Sequence, residues 1–197
     1  EGRLVACETK NRRVTRTEKD GSITVLADRY RGGRFNSPND LCIDSKGHIY
    51  FTDPRYGSRK GMEITETIGD ELRTNSPKRT EIEGVYRIDS VGKVTRILCD
   101  GAERPNGILI SQDGRFLMIA DNNNNTHGGS RKLLRYELGE NGQVKAGTRK
   151  VLFDWRDGRG PDGIKMDAQG RIYVSGGTNK PTEFETTRFK AGCYILS

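Results

Sequence analysis

Apolar residues occur along this chain in short runs that alternate with polar ones, and Gly, Asp, Asn and Pro punctuate the runs. Val85-Tyr-Arg-Ile and Ile172-Tyr-Val-Ser are representative. Alternation with a period of two sends one row of side chains to a core and the other to solvent, which predicts strands joined by tight turns. No apolar run approaches the ~18 residues of a membrane-spanning helix. Membrane insertion is therefore not expected.

Three stretches superimpose: Pro38-Asn-Asp-Leu-Cys-Ile-Asp-Ser-Lys-Gly47, Pro105-Asn-Gly-Ile-Leu-Ile-Ser-Gln-Asp-Gly114 and Pro161-Asp-Gly-Ile-Lys-Met-Asp-Ala-Gln-Gly170. In each, a strand follows the Pro tripeptide, a Gly marks a turn, and a second strand follows. Gly suits such a turn because tight hairpins need positive φ. A second hairpin comes after each first one. Gly84 to Asp89 pairs with Gly92 to Leu98, Leu133 to Leu138 with Arg149 to Phe153, and Arg13 to Arg16 with Ser22 to Leu26. Two hairpins in succession make a four-stranded antiparallel meander, and its repetition roughly every 45 to 70 residues predicts an all-β fold, a β-propeller.

The repeat register predicts blade pieces at about 1–28, 38–100, 105–153 and 161–197. Gly2 to Glu8 aligns with the second strand of a blade, and Gly192 to Ser197 with a third strand. The 197 residues thus read as a fragment covering about three to four blades, with both terminal blades truncated.

Composition adds less. Hydrophobic residues are 32% and charged residues 31% of the chain, with 25 Gly, which fits thin blades and many turns better than a helical bundle. The net charge of +7 permits nucleic-acid binding. Its basic residues are scattered, however, and no nucleic-acid-binding motif accompanies them. Lys10 to Lys19, the densest basic stretch, alternates as an exposed, solvated strand would. The four cysteines, Cys7, Cys42, Cys99 and Cys193, lie far apart without a CxxC pair. Buried free thiols are the expectation, as in a reducing compartment, although a lost N-terminus leaves a secreted or periplasmic location open.

In a four-stranded meander the Pro tripeptides share one face with the long connections 54–83, 122–130 and 176–191. Radial symmetry then brings Asn39, Asn106 and Asp162 toward one point on the channel axis. Two amide oxygens and a carboxylate suit a hard cation, Ca²⁺ first, and suit zinc poorly. The competing reading is that Asn and Asp after Pro only cap turns.

The stretches Arg34-Phe-Asn-Ser-Pro-Asn-Asp-Leu, Ile49-Tyr-Phe-Thr-Asp-Pro-Arg-Tyr-Gly57, Arg104-Pro-Asn-Gly-Ile, Ile119-Ala-Asp and Gly160-Pro-Asp-Gly-Ile resemble the senescence marker protein, gluconolactonase and luciferin-regenerating enzyme family, in its gluconolactonase-like branch. The resemblance implies a six-bladed propeller that hydrolyses lactones with a divalent metal on its axis. Ca²⁺ is the first choice, with Zn²⁺, Mg²⁺ and Mn²⁺ open. In that family the metal is held by an early Glu, the Asn of Pro-Asn-Gly and the Asp of Pro-Asp-Gly. The last two match Asn106 and Asp162, while Asn39 matches an Asn beside the metal that contacts substrate or ligand water. The early Glu has no match, because Glu1-Gly2 is followed by Arg at a hairpin turn.

The resemblance further implies that the metal polarises the lactone carbonyl and that Asp162 also serves as general base. Arg34, Arg55 and Tyr56 are candidate sugar contacts, each equally readable as a surface structural residue. The expected partner is a small sugar-acid lactone, with no nucleic acid and no membrane. A non-catalytic propeller binding a small molecule or protein on the same face is the first alternative; an arylesterase-like or phosphotriesterase-like hydrolase is the second. His127 reads as a solvated loop residue, His48 as a turn residue on the opposite face, and Trp155 as outer-blade packing. No nucleophile elbow is present.

Overall fold

The computed structural model describes residues 2–56, 83–99 and 101–197. Among them every regular element is a strand. The first sheet holds β1 (Val5–Glu8), β2 (Arg13–Thr17) and β3 (Ile23–Ala27), followed by a small hairpin of β4 (Arg29–Tyr30) and β5 (Gly33–Arg34). Two four-stranded sheets come next: β6 (Leu41–Ile43), β7 (Ile49–Asp53), β8 (Gly84–Ile88) and β9 (Val94–Leu98), then β10 (Pro105–Ile110), β11 (Phe116–Asn122), β12 (Arg131–Glu137) and β13 (Lys150–Asp154). The last sheet holds β14 (Ile164–Met166), β15 (Ile172–Gly176) and β16 (Gly192–Leu196). Each sheet is an antiparallel meander in chain order. The long connection read between 54 and 83 lies mostly outside the described residues, as does Gly57.

The turn glycines behave as their spacing predicts. Gly47, Gly114 and Gly170 have φ of 81°, 70° and 82°, the left-handed region that a Cβ disfavours. An Asp closes two of these turns: the Oδ1 of Asp44 accepts from the amides of Lys46 and His48, and that of Asp167 from Gln169 and Arg171. The second oxygen braces the next strand. Asp44 Oδ2 meets His48 Nδ1 at 2.9 Å and the Tyr50 hydroxyl at 3.3 Å. Asp167 Oδ2 meets Arg171 Nε at 2.6 Å and the Tyr173 hydroxyl at 3.1 Å. Because Arg171 takes the same place in another hairpin, His48 is a structural brace.

The sheets pack face to face, and alternation along each strand feeds two cores at once. Leu117 and Ile119 of β11 join Tyr50, Val85, Ile108 and Leu134 between the two four-stranded sheets. Met118 and Ala120, pointing the other way, join Leu133, Ile164, Val174 and Trp155 against the last sheet. Phe35, Phe51 and Tyr86 form an edge-to-face and stacked aromatic cluster with Val14 on the side of the first sheet. Trp155 follows the outermost strand β13 and is fully buried, its ring edge-on to Phe153 at 4.6 Å and to Tyr194 at 5.8 Å.

Two expectations need correction. The basic stretch is not a solvated strand face, since Arg12, Val14 and Thr15 are buried and Arg12 donates to the Phe35 carbonyl. Arg13 and Arg16 are paired locally, with Glu8 at 2.8 Å and with Glu18 at 2.6 Å, while Lys10 and Lys19 are exposed. The cysteines are not uniformly buried either: Cys7 and Cys42 are half-buried, Cys99 and Cys193 are exposed, and no disulfide joins the four. Cys193 alternates outward on β16, and Cys99 lies just past the end of β9.

Many surface carboxylates are held in the ionised form by the turns they close. Arg13 and Asn11 hold Glu8 down to about 2, and Arg16 does the same for Glu18. Hydrogen bonds from Ser22 lower Asp20, the Lys93 amide lowers Asp89, and Ser111 with the Arg115 amide lowers Asp113. Groups lowered on folding contribute stability above their unfolded pKa of about 4 and lose it as pH falls from about 5 toward 2. Asp121, raised by burial, works with the opposite sign but is one group against these five. The urea midpoint should therefore fall between about pH 5 and pH 2.5. A flat or rising midpoint contradicts this account.

Candidate active site

The first strands of three successive sheets, β6, β10 and β14, lie side by side with β10 in the middle. Each is entered through a Pro tripeptide, and hydrogen bonds lock the three entrances together. Asn39 N donates to the Thr52 carbonyl at 3.0 Å, and Thr52 Oγ1 donates to the Asn106 carbonyl at 2.7 Å. Asp40 Oδ2 accepts from Ile108 N at 3.1 Å. On the other side Gly107 N donates to the Asp162 carbonyl at 3.1 Å, and Asn122 Nδ2 to the Pro161 carbonyl at 2.7 Å. One hydrogen-bonded network thus carries Asn39, Asn106 and Asp162.

Gly107 is required there. A Cβ on it would collide with the Asp162 carbonyl and stand 3.0 Å from Ile164 N, both backbone atoms. Asp40 occupies the equivalent place in the preceding repeat and uses its side chain to bridge to β10 instead.

The loops that lead into these entrances are clamped by buried carboxylates at the ends of the second strands. Asp53 accepts from the amides of Asn36 and Ser37, both at 2.8 Å. Asp121 accepts from those of Glu103 and Arg104, the latter at 2.7 Å. Burial raises Asp121. The Thr-Asp and Ala-Asp pairs of the repeats are therefore loop clamps.

Around Asn106 the side chains converge. Asn106 is buried, and its Nδ2 donates to the Tyr56 hydroxyl at 3.0 Å, which leaves Oδ1 as the amide's uncommitted oxygen. Tyr56 N donates to Ser37 Oγ at 3.1 Å, and that hydroxyl donates to the Pro54 carbonyl. The Arg104 guanidinium lies 5.9 Å from the Tyr56 ring centre. Burial pushes the Tyr56 phenol well above its ordinary value, and the negative charge of Asp162 pushes it further. Asp162 is thus within electrostatic reach of the same hydroxyl that orients Asn106. It is exposed, and among the described residues its carboxylate accepts no hydrogen bond.

Glu83, buried, closes the outer side. Its carboxylate accepts from Arg55 N at 2.9 Å and Arg55 Nε at 3.2 Å, and lies 3.6 Å from Arg104 Nε. Glu83 and Arg104 were not among the candidates that the sequence suggested. Arg104 lies in the Arg-Pro-Asn-Gly motif, two residues before Asn106, while Glu83 ends a long connection and carries no local signal. Of the expected sugar contacts, Tyr56 joins Asn106 and Arg55 joins Glu83. Arg34 instead donates to the Asn11 carbonyl at 2.8 Å, in the first sheet. His127 packs edge-on to Phe184 at 5.0 Å, in the loops beyond.

No cluster of three or more His, Cys, Asp or Glu suited to a metal occurs among the described residues. The Asn39, Asn106 and Asp162 set is of another kind, two neutral amide oxygens and one carboxylate. Its chemistry fits a hard, oxygen-seeking cation, because among the described residues Asn106 Oδ1 and both Asp162 oxygens accept no hydrogen bond.

The model of the SMP-30/Gluconolactonase/LRE-like region matches residues 1–187. The chain belongs to this family. It is 34% identical over 157 residues to a gluconolactonase of Zymomonas mobilis, the match covering 77% of this chain and 40% of that protein. A solved gluconolactonase from Xanthomonas campestris superimposes with a TM-score of 0.66 at 28% identity, over 89% of this chain and 53% of that one. A luciferin-regenerating enzyme, at 18% identity and a TM-score of 0.60, shares the fold over 89% of this chain and 52% of its own. The chain therefore spans well under two thirds of the length of these relatives. Its antiparallel sheets are those of an SMP-30/gluconolactonase/LRE-like propeller.

The steric argument at β10 yields a paired test. Gly107→Ala should cost about 1–3 kcal/mol in urea unfolding, because backbone must move to admit the Cβ. Gly163→Ala, whose Cβ would meet only Ser175 Oγ at 3.6 Å, should cost less than about 1 kcal/mol. Equal costs would contradict the packing described.

Proposed function

We propose that the intact protein is a hydrolase that opens sugar-acid lactones at the face where Tyr56, Asn106 and Asp162 meet. Family membership supports a lactone hydrolase. The observation that carries the assignment to these residues is the Asn106–Tyr56 hydrogen bond beside an exposed Asp162 with uncommitted oxygens. The same reading takes the four sheets as consecutive blades of a six-bladed ring.

Asn39, Asn106 and Asp162 would hold a divalent cation, Ca²⁺ by the hardness of the donor set. When bound, such an ion supplies Lewis acidity toward a carbonyl oxygen. The remaining work belongs to the chain. Tyr56 fixes the Asn106 amide so that Oδ1, not the NH₂ group, faces the site. Asn39, at the neighbouring entrance, holds the carbonyl and the attacking water in line. Asp162 accepts the proton of that water as its oxygen bonds to the carbonyl carbon, and returns a proton to the ring oxygen as the ester bond breaks. The product is a hydroxy acid. The backbone network under the three entrances holds their main chain, and the Tyr56 bond holds the Asn106 amide.

Hydrolysis of glucono-δ-lactone by the intact protein, followed by acid release, tests this. Asp162→Ala should lower kcat/KM by roughly 100-fold or more. Chelator should lower it likewise, with recovery on adding Ca²⁺, and calorimetry should show weaker Ca²⁺ binding by Asp162→Ala. Turnover that survives both treatments overturns the mechanism.

A further inference from the structure

Arg104 stands out by its place beside Tyr56, whose hydroxyl meets Asn106. Its side chain is only 15% exposed, and among the described residues its buried Nε has no hydrogen-bond partner. Glu83 lies 3.6 Å from that Nε, beyond hydrogen-bond length, and the buried Asp121 carboxylate is spent on the amide of Arg104 itself. Both oxygens of the Glu83 carboxylate are already taken by Arg55, Oε2 by its backbone amide and Oε1 by its Nε. A guanidinium carries five N–H donors and cannot shed its charge, so leaving even one of them buried and unbonded is costly. Such an unsatisfied group beside a site calls for a ligand.

Its position says which ligand. Arg104 stacks toward Tyr56, whose hydroxyl orients Asn106, and it lies two residues before Asn106 on the strand entrance. The flat guanidinium fork matches the two oxygens of a carboxylate or a phosphate better than it matches hydroxyl groups. Glu83 sits between the two arginines, Arg55 and Arg104, so neither guanidinium has that carboxylate to itself.

We infer that Arg104 is a specificity-determining residue that receives an oxyanion carried by the substrate, so that the preferred lactones bear a carboxylate or phosphate away from the ring ester. The inference rests on the lactone-hydrolase reading for its substrate class. The residue itself takes no part in breaking the ester bond; it binds the far end and holds the lactone over Asn106 and Asp162.

The test compares three lactones on the intact protein: neutral glucono-δ-lactone, the carboxylate-bearing glucaro-1,4-lactone and 6-phosphoglucono-δ-lactone. The wild type should favour at least one anionic lactone over the neutral one in kcat/KM. Arg104→Gln should cut that anionic-to-neutral ratio roughly 10- to 100-fold, chiefly through KM, and Arg104→Lys should restore part of it. Whichever anionic lactone shows the effect identifies carboxylate or phosphate as the group received. Calorimetry with the open-chain dianion glucarate, against neutral glucitol, gives a reading that needs no turnover. Binding of glucarate that weakens in Arg104→Gln supports the anion site even if none of the lactones is cleaved, an outcome that would sink the hydrolase reading alone. A wild type without preference for anionic lactones, or a ratio unmoved in both variants, overturns the role of Arg104.

Discussion

Everything at the candidate site depends on hydrogen bonds that tie the entrances of the first strands to the neighbouring sheets. Thr52 Oγ1 reaches the Asn106 carbonyl and Gly107 N reaches the Asp162 carbonyl. Face-to-face sheet packing alone fixes blades only to within the slack of apolar contacts, which are not directional. These polar ties remove that slack where it matters. The Thr52 tie is buried, so breaking it leaves an unsatisfied acceptor and costs more than the bond itself contributes. The absence of a Cβ at Gly107 follows from the same constraint, since β10 and β14 approach backbone to backbone there.

A good part of this fold is legible in the amino-acid sequence alone. Alternation, turn glycines and the threefold Pro tripeptide locate the hairpins, because strand period and positive φ are local properties. The Asp that closes a turn, and the Tyr that braces against it, repeat with the hairpin and so belong to it. Burial of individual residues is less legible. The Lys10 to Lys19 stretch looks solvated by composition, yet Arg12 is buried by reaching a carbonyl contributed by Phe35, far along the chain. Long-range partners of this kind leave no trace in local charge pattern.

The same distinction divides the site. Asn39, Asn106 and Asp162 can be singled out because the repeat puts them in register. The role of Tyr56 cannot, since its bond to Asn106 spans two sheets of the propeller and has no counterpart in the other repeats. Glu83 is still harder to see. It is reached only after a long connection, and its importance comes entirely from the two arginines it meets.

Four aspartates near the entrances show how one residue type is divided between structure and chemistry. Asp40, Asp53 and Asp121 all accept backbone amides, and each is consumed by the geometry it maintains. Asp162 takes its place through its backbone instead, accepting at its carbonyl from Gly107 and donating from its amide to the Ser175 carbonyl at 2.8 Å. Its carboxylate is therefore positioned without being used. A carboxylate left free in this way has all its acceptor sites open to a ligand or a proton. The backbone ties that hold the strands together are thus also what leaves one carboxylate at these entrances without a structural bond among the described residues.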